Sequence, residues 1–470
     1  MKLIYGIKDR PKFGQVIIFA IQQLLAIMAA TLVVPVIINT SGSMPEGAPA
    51  MSSAAALFGA GIGTLVYLLF TRFKSPVFLG SSFAFIGSMC SAFAGAISAQ
   101  AGYLGLIIGA VCAGLVYVVI ALIVKFAGVK WISKLMPAVV IGPTVAIIGL
   151  SLAGNAIGDL QTAPAGGSSY VAILCGLVTL AVTMLCATFG KKMIRLIPFI
   201  MGILAGYALA AIFTLIGNAA GIDALKVINF APLTNLFTDF SIKSIVSVPD
   251  FTFVEALKGV KDIDAAYIGT VAVAYAPVAF VVFAEHIADH KNLSTIIESD
   301  LLEDPGLHNT LLGDGVGSMA GAFFGGCPNT TYGESVGCVA ITGNASVITI
   351  LTTAVMAIVI SFLSPFVAFV NTIPSCVMGG VCMALYGFIA VSGLKMIQKV
   401  DLEQNRNLFV VSVILITGIG GLSVSFGKVT LTTIACALIL GILANVMLGV
   451  KDKKAAEEQA PVSEDNTYEL

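Results

Sequence analysis

Charged residues are scarce in this sequence, and their scarcity excludes a soluble globular protein. Asp, Glu, Lys and Arg make up 10% of the 470 residues, whereas 58% are hydrophobic and the mean hydropathy is +1.01. A soluble domain carries about 25% charged residues. The net charge of −1 also gives no basic surface of the kind that binds nucleic acid. The composition therefore predicts a polytopic membrane protein that binds no nucleic acid.

Redox and metal motifs are missing as well. The nine cysteines are scattered through apolar stretches without a CxxC pair, so we expect small buried hydrophobic side chains. His286 and His290 lie one helical turn apart, but there is no HExxH order and no evident third ligand. We expect both histidines to lie at the membrane interface without a ligand. An intramembrane metallohydrolase is therefore disfavoured, and the sequence predicts neither a metal nor another cofactor.

Long apolar runs fill most of the chain. Windows of about 20 apolar residues, the length that crosses the hydrocarbon core of a bilayer, predict about fourteen transmembrane segments. They begin near Gly14, Ser52, Pro76, Tyr103, Leu135, Tyr170, Ile197, Ala265, Leu307, Asn329, Ser346, Ser375, Leu408 and Val429. The first run is too long for the core of a signal peptide, so we expect it to be retained as the first segment.

Lys and Arg are absent from alternate connections between the segments. Residues 41–50, 98–101 and 159–167 contain neither, whereas intervening connections carry them, for example as Arg72 and Lys74. Cytoplasmic loops of membrane proteins hold the excess of Lys and Arg. The alternation therefore predicts a multi-pass protein of the cell membrane with both termini in the cytoplasm.

A sequence pattern recurs seven segments apart. Residues 59–64 (GAGIGT) resemble residues 313–318 (GDGVGS), and Pro76 opens the third segment as Pro328 opens the tenth. Because seven is odd, the second half starts on the opposite side of the membrane and the repeat is inverted. The predicted organisation is a cytoplasmic N-terminus (1–13), a first repeat of segments one to seven (14–217), a connecting loop (218–264), a second repeat of segments eight to fourteen (265–450) and a cytoplasmic tail (451–470).

Glycine, proline and polar residues interrupt the third and tenth segments. Residues 76–83 (PVFLGSSF) and 328–337 (PNTTYGESVG) are predicted to be extended or broken. Such backbone is tolerated within a bilayer only where it lines a cavity, and in inverted-repeat transporters the interrupted segments mark the binding site. The glycines of residues 59–63 are more consistent with close packing of helices.

Four carboxylates lie within apolar sequence, at Glu285, Asp289, Asp314 and Glu334. Ionisable residues inside membrane segments are costly and commonly functional. Glu285 and Asp289 share one helix face. When two carboxylates lie this near each other in a medium of low dielectric constant, they do not both ionise easily. At least one is then protonated at neutral pH, as a proton-coupled carrier requires. The alternative is that Glu285 or Asp289 merely ends a helix at the cytoplasmic interface, because Lys291 follows.

The pattern of polar groups fits a nucleobase. If the eighth and tenth segments line one cavity, Glu334 lies opposite Glu285. A neutral ring with alternating N–H groups and carbonyls could donate to both carboxylates and accept from the backbone N–H groups of Gly333 and Phe83. Tyr332 is a candidate for stacking on the ring, although aromatic residues in apolar segments more often serve packing.

The motifs of the third, eighth and tenth segments resemble those of the nucleobase-ascorbate transporter family, the nucleobase:cation symporters, and especially its uracil-transporting members. The motifs are Gly80-Ser81-Ser82-Phe83, Glu285-His286 and Asn329-Thr330-Thr331-Tyr332-Gly333-Glu334, and Asp304-Pro305-Gly306-Leu307-His308 also fits. The resemblance implies an all-α polytopic membrane fold of fourteen segments in a seven-plus-seven inverted repeat, with short β-strands in the third and tenth. Segments one to four and eight to eleven would form a core domain, and the other six a gate domain.

The resemblance also implies uptake of uracil with protons across the cytoplasmic membrane, by a lipid-embedded homodimer that works by alternating access. The predicted substrate-binding residues are Glu285, Glu334, Phe83, Gly333, Tyr332 and Ser82. The predicted proton-coupling residues are Glu285, Asp289, Asp314 and Glu334.

Two departures from the family pattern leave the substrate open. Uracil transporters of the family typically have His where this chain has Asp289, and Gln-His where it has Gln22-Gln23. Asp289 and Asp314 instead resemble the purine branch, which usually has Gln at the position of Glu334. We weigh Glu334 more heavily because its side chain would touch the ring. Uracil:proton symport is therefore favoured over xanthine or other purine:proton symport, and the paired acids argue against a passive channel.

Overall fold

The computed structural model describes residues 3–128, 137–164, 166–191, 193–238, 241–426 and 429–458. The first half of the chain forms α1 (Phe13–Thr40), α2 (Ser53–Phe70), β1 (Leu79–Ser81), a 3₁₀ turn (Phe83–Phe85), α3 (Ile86–Ala94), α4 (Ala99–Ala127), α5 (Ala138–Ser151), α6 (Ala153–Gln161), α7 (Ser169–Phe189), α8 (Met193–Leu196) and α9 (Pro198–Ala220). Short helices α10 (Ala231–Thr238) and α11 (Thr252–Lys258) follow.

The second half forms α12 (Ala265–Ile297), α13 (Leu307–Gly325), β2 (Asn329–Thr331), α14 (Gly333–Thr342), α15 (Val347–Ser361), α16 (Ser364–Thr372), α17 (Ser375–Ile397), α18 (Asn405–Ile419), β3 (Val424–Phe426), β4 (Val429–Leu431) and α19 (Thr433–Glu458). Eight helical stretches among the described residues are long and apolar enough to cross a bilayer. The predicted all-α multi-pass membrane fold is thereby confirmed. The number of fourteen segments stays a prediction, and the predicted start at Leu135 lies outside the described residues.

The third and tenth segments are broken where Gly and Pro interrupt the apolar sequence. β1 and β2 pair antiparallel, with Gly80 opposite Thr330, and each strand is followed by a short helix. The N–H of Ser82 extends the pairing by donating to the carbonyl of Pro328 at 2.9 Å. Pairing satisfies the backbone groups of two strands that would otherwise be unbonded inside the membrane. The predicted strands of the third and tenth segments are therefore confirmed.

The repeated glycine motif brings two backbones into contact. A Cβ on Gly59 of α2 would lie 2.4 Å from the carbonyl oxygen of Gly321 of α13, and one on Gly63 would lie 2.7 Å from that of Gly317. The Asn329 side chain donates to the carbonyl of Gly59 at 3.0 Å and so ties β2 to this helix pair. Glycine is needed here for close packing of helices, which fixes the position of β2.

The helices pack as two groups. In one group, α13 packs on α2 and α4, α12 packs on α4, and α15 packs on α1 and α2. In the other, α17 packs on α5 and α7, α9 packs on α7, and α18 packs on α5 and α19. This division corresponds to the core and gate groups that the family resemblance implies, and both broken segments belong to the core group.

The predicted domain boundaries stay predictions. The connection predicted over 218–264 contains α10 and α11; its first three residues still belong to α9, which ends at Ala220, and α12 starts at Ala265. α19 continues to Glu458, so the helix extends beyond the predicted start of the tail at 451.

Candidate functional site

Three of the four intramembrane carboxylates keep accessible surface beside the paired strands. Glu285 lies midway along α12 and is exposed, whereas its neighbours Ala284 and His286 are buried. Asp289 and Glu334 are partly exposed. Glu285 and Glu334 both lie near enough to Asp289, and to each other, to interact electrostatically, and we infer that the accessible surface of the three acids lines one cavity within the bundle. Concave sites of this kind, with a few convergent polar groups, are typical of small-molecule binding.

Two helix N-termini follow the paired strands, one at each end of the pair. The 3₁₀ turn starts at the partly exposed Phe83 and α14 starts at the exposed Gly333. The preceding residues, Ser82 and Tyr332, make no side-chain cap to either N-terminus. The first N–H groups of a helix have no partner within it, and this end carries a partial positive charge. The site therefore offers backbone donors next to the carboxylates.

Contacts of Asp289 bring the eighth and tenth segments together. The hydroxyl of Thr331 donates to Asp289 Oδ2 at 3.1 Å, and a Cβ on Gly333 would lie 3.7 Å from Asp289 Oδ1. Glu285 and Glu334 lie near enough to repel the Asp289 carboxylate. None of the ion pairs among the described residues involves these three acids. The negative charge of the site is thus not neutralised by Lys or Arg side chains there.

Helix α12 does not end at the carboxylates. It continues past Lys291 to Ile297, so the alternative in which Glu285 or Asp289 terminates a helix at the interface is wrong. The expectation that His286 and His290 lie at the interface is also wrong, because both side chains are inside the protein. His286 and His290 are both 0% exposed, because this part of α12 packs against other helices of the core group.

Asp314 lies behind the cavity and pairs with His286. The ring N–H at Nδ1 of His286 donates to Asp314 Oδ2 at 2.7 Å, and Nε2 lies 3.0 Å from the hydroxyl oxygen of Thr310. Asp314 is 1% exposed, so it is separated from the surface that Glu285 presents to the cavity. A buried carboxylate needs hydrogen bonds; His286 bonds Oδ2, whereas Oδ1 of Asp314 has no hydrogen-bond partner among the described residues.

A second buried chain of polar groups starts at His290. Its Nδ1–H donates to the carbonyl of His286 at 2.8 Å, and its Nε2 lies 2.6 Å from the hydroxyl of Tyr67. Since a carbonyl only accepts, Nδ1 carries the proton and Nε2 of a neutral ring accepts from Tyr67. The Tyr67 hydroxyl also lies 2.7 Å from Ser75 Oγ. Sequence analysis missed Tyr67, Ser75 and Thr310, whose only signal is a polar side chain near or within an apolar run.

Ser82 and Tyr332 are the residues that directly follow β1 and β2. The Tyr332 hydroxyl donates to the carbonyl of Ser81 at 2.7 Å, and its ring packs so closely on Gly80 that a Cβ there would lie 2.4 Å away. Tyr332 is 5% exposed and Ser82 is 2% exposed. These contacts hold β1 against the start of α14. The predicted contact of Tyr332 and Ser82 with substrate stays a prediction.

Two further contacts connect the site to its surroundings. The Phe83 ring meets the ring of Tyr386 edge to face, with centroids 6.2 Å apart, and so joins the core group to α17 of the other group. The Gln23 side chain of α1 donates to the hydroxyl of Ser335 on α14, which lies 3.1 Å from the backbone nitrogen of Phe78. Gln23 therefore bonds across helices, as polar residues in membrane segments commonly do.

Among the described residues there is no group of three or more His, Cys, Asp and Glu arranged to hold a metal.

Comparison with known proteins gives consistent results. The sequence profile of the Permease family matches residues 14–426. The uracil permease of Bacillus caldolyticus is 37% identical over 450 residues, which cover 95% of this chain and 95% of that protein. The uracil permease of Bacillus subtilis (strain 168) is 37% identical over 471 residues and 98% of each chain. The uracil permease of Escherichia coli (strain K12) is 34% identical over 93% of this chain and 92% of that protein.

Solved structures share the fold at low sequence identity. The transmembrane domain of the cyanobacterial bicarbonate transporter BicA superimposes with a TM-score of 0.59 and 15% identity, over 93% of this chain and 99% of that chain. The murine anion transporter Slc26a9 in its inward-facing state gives a TM-score of 0.60 and 12% identity, over 95% of this chain and 69% of that chain. Both likenesses concern the fold alone.

Proposed function

This chain belongs to the Permease family, and we propose that it is a uracil:proton symporter that imports uracil across the cytoplasmic membrane. The family and the related permeases make it a transporter rather than an enzyme. The proposal rests most on one arrangement: Glu285 and Glu334 keep accessible surface and lie near enough to interact electrostatically, and Glu334 is in the first turn of α14. The relatives named uracil permeases, at 37% identity over nearly the full chain, support uracil as the ligand.

Uracil binds in this proposal through complementary hydrogen bonds. Its N–H groups donate to the carboxylates of Glu285 and Glu334, and its carbonyl oxygens accept from the N–H groups of Phe83 and Gly333. Hydrogen bonds to charged groups contribute about 1.5–3 kcal/mol each. A ring that leaves either carboxylate unpaired loses that contribution, so the site discriminates against bases with another donor pattern.

The proton is carried by the group of carboxylates. Asp289 lies one helical turn from Glu285, and Glu334 and Asp314 interact electrostatically with it. With no Lys or Arg paired to the three cavity acids among the described residues, a proton from outside is the available neutralising charge. Acids this strongly coupled bind protons as a group rather than as separate sites. The cycle consists of protonation, uracil binding, reorientation of the core group against the gate group, and release of uracil and the proton inside the cell.

The remaining parts of the proposal concern topology and assembly. Both termini lie in the cytoplasm, and the protein is a homodimer in the cell membrane. The N-terminal segment pairs with the chain after α14, through a bridge between Tyr5 and Asn344. This pairing supports placing the N-terminus and the end of the tenth segment on one membrane face.

Uptake into proteoliposomes tests the function. Labelled uracil should enter saturably when the outside is acidic, and a protonophore should abolish accumulation. Non-saturable flux that ignores the protonophore would contradict the proposal in favour of a channel. Competition by xanthine but not by uracil would instead show that the substrate is a purine. In that alternative, Asp289 is the residue that resembles the purine branch of the family.

A further inference from the structure

The residues ahead of α1 lie along the loop that follows α14. Residues 3–12, which we call the N-terminal strap, pair in parallel with this loop, and Tyr5 lies opposite Asn344. Main-chain hydrogen bonds join the two segments: from the N–H groups of Ile4 and Tyr5 to the carbonyl of Gly343 (2.7 and 3.2 Å), from Ala345 to Tyr5 (2.9 Å) and from Val347 to Ile7 (3.1 Å). The strap is therefore attached to the C-terminal end of the helix whose first turn carries Glu334.

Side chains attach the strap on two sides. The hydroxyl of Ser346 donates to the carbonyl of Asp9 at 2.7 Å. The Asp9 carboxylate accepts from the N–H of Gly6 at 2.8 Å and so holds the turn between these two residues. The Tyr5 hydroxyl donates to the Gln15 side chain, in the first turn of α1, at 2.7 Å. The strap thus bonds both to α1 and to the chain that leaves α14.

Helix α14 is attached to α1 a second time, near its start. The two helices pack on each other, and the Gln23 side chain of α1 donates to the hydroxyl of Ser335. Eight residues separate Gln15 from Gln23, and eight separate Ser335 from Gly343. At a rise of 1.5 Å per residue, each interval spans about 12 Å. α14 is therefore held against α1 at both ends, through Gln23 at its start and through the strap at its end.

The direction of the groups at the start of α14 depends on both attachments. The helix has ten residues, and helices this short are marginal on their own. Its start carries the N–H of Gly333 and the carboxylate of Glu334, to which the proposed function assigns substrate binding. Hydrogen bonds weaken as donor and acceptor lose their alignment, and the direction of these groups follows the tilt of the helix. A single attachment leaves that tilt free, whereas two attachments fix it.

We propose that the N-terminal strap is a positioning segment of the substrate site. By holding the end of α14 against α1, it sets the direction in which Gly333 and Glu334 meet the substrate. The inference rests on the proposed function and adds to it residues that do not touch the substrate. The strap acts through the helix, since about 15 Å of α14 separates its attachment at Gly343 from Gly333.

Ile4→Pro weakens the strap without removing it. Proline has no backbone N–H, so this variant loses the hydrogen bond to Gly343. In proteoliposomes the KM for uracil should rise about tenfold with little change in the maximal rate, because a bond to the substrate loses its alignment. Ile4→Ala keeps the N–H and loses a side chain that is 64% exposed. This conservative variant should therefore behave as wild type.

Ser346→Ala weakens the strap from the opposite segment. Ser346 precedes α15 but does not cap it with its side chain, so the variant loses the bond to the Asp9 carbonyl and leaves the helix start as it is. The KM should rise here as well, again without a matching loss of maximal rate. Ser361→Ala is the matched control at the other end of α15, because the Ser361 hydroxyl donates within its own helix, to the carbonyl of Ile358 at 2.6 Å. Its KM should equal that of the wild type.

Hydrogen exchange of the α14 backbone amides tests the strap without uracil. Exchange should be faster in Ile4→Pro than in Ile4→Ala, and equal exchange in the two would overturn the inference while leaving the proposed function standing. A lower maximal rate at an unchanged KM would also overturn it, because that result indicates fewer folded transporters rather than a misdirected site. Wild-type protein that transports no uracil would overturn the proposed function, and the exchange comparison separates that failure from a failure of the strap.

Discussion

Asp314 and His286 form a buried pair that joins α13 to α12 across a hydrogen bond of 2.7 Å. The pair fixes the rotation of α12, since His286 must face α13. Glu285, the preceding residue, then faces the cavity instead. A contact behind the site thus determines which carboxylate the substrate can reach.

Removing one partner of this pair should destabilise the protein strongly. Asp314→Ala leaves the buried Nδ1 of His286 without its hydrogen-bond partner, and an unsatisfied buried donor costs about 1–3 kcal/mol. The melting temperature of the purified protein in detergent should fall, and uracil uptake should fall with it. Asp223→Ala is the control, because Asp223 pairs with Lys226 at an exposed position. An unchanged melting temperature in Asp314→Ala would show that the pair does not hold the two helices together.

A side chain at Gly80 should disrupt the strand pair. In Gly80→Ala the added Cβ would lie 2.4 Å from the ring of Tyr332, and overpacking of this kind costs about 1–3 kcal/mol. The ring has to move, which displaces β1 from the start of α14, so uptake should be reduced well below wild type. Gly337→Ala is the matched control, since nothing lies within 4 Å of a Cβ at that position of α14. Equal uptake by the two variants would contradict this account of the strand pair.

Much of this architecture follows from sequence because the interruptions are local. Gly and Pro at 76–83 and 328–337 cannot continue apolar helices, and the inverted repeat places the two interruptions in corresponding positions. The pairing of Gly80 with Thr330 fulfils that prediction. The sequence indicates Glu334 for an equally local reason, because it is an acid in apolar sequence.

The contacts between helices could not be predicted in this way. Helix α12 is apolar around most of its circumference, so its sequence does not indicate which face meets which neighbour. The pairing of His286 with Asp314 and the bond from Thr331 to Asp289 depend on that rotation. Lys291 suggested that Glu285 or Asp289 ends a helix, whereas α12 continues to Ile297, and packing against other helices buries His286 and His290.

Neutralising Glu334 should weaken uracil binding while leaving the fold intact. Glu334→Gln keeps the shape of the side chain but removes its charge. The hydrogen bond from uracil is then no longer to a charged group, so the KM for uracil should rise about tenfold. Glu46→Gln, a change of the same kind at an exposed position, should leave the KM as it is. The KM is obtained from initial rates of uracil uptake. An unchanged KM in Glu334→Gln would remove Glu334 from the substrate site.

Isothermal titration of the purified protein with uracil and with xanthine is the most direct test of the central claim. The wild-type protein should bind uracil saturably and xanthine far more weakly. Glu285→Gln combined with Glu334→Gln should abolish uracil binding without changing the melting temperature. Tight binding of xanthine in place of uracil, or full binding of uracil by the double variant, would contradict the assignment of Glu285 and Glu334 as the uracil site.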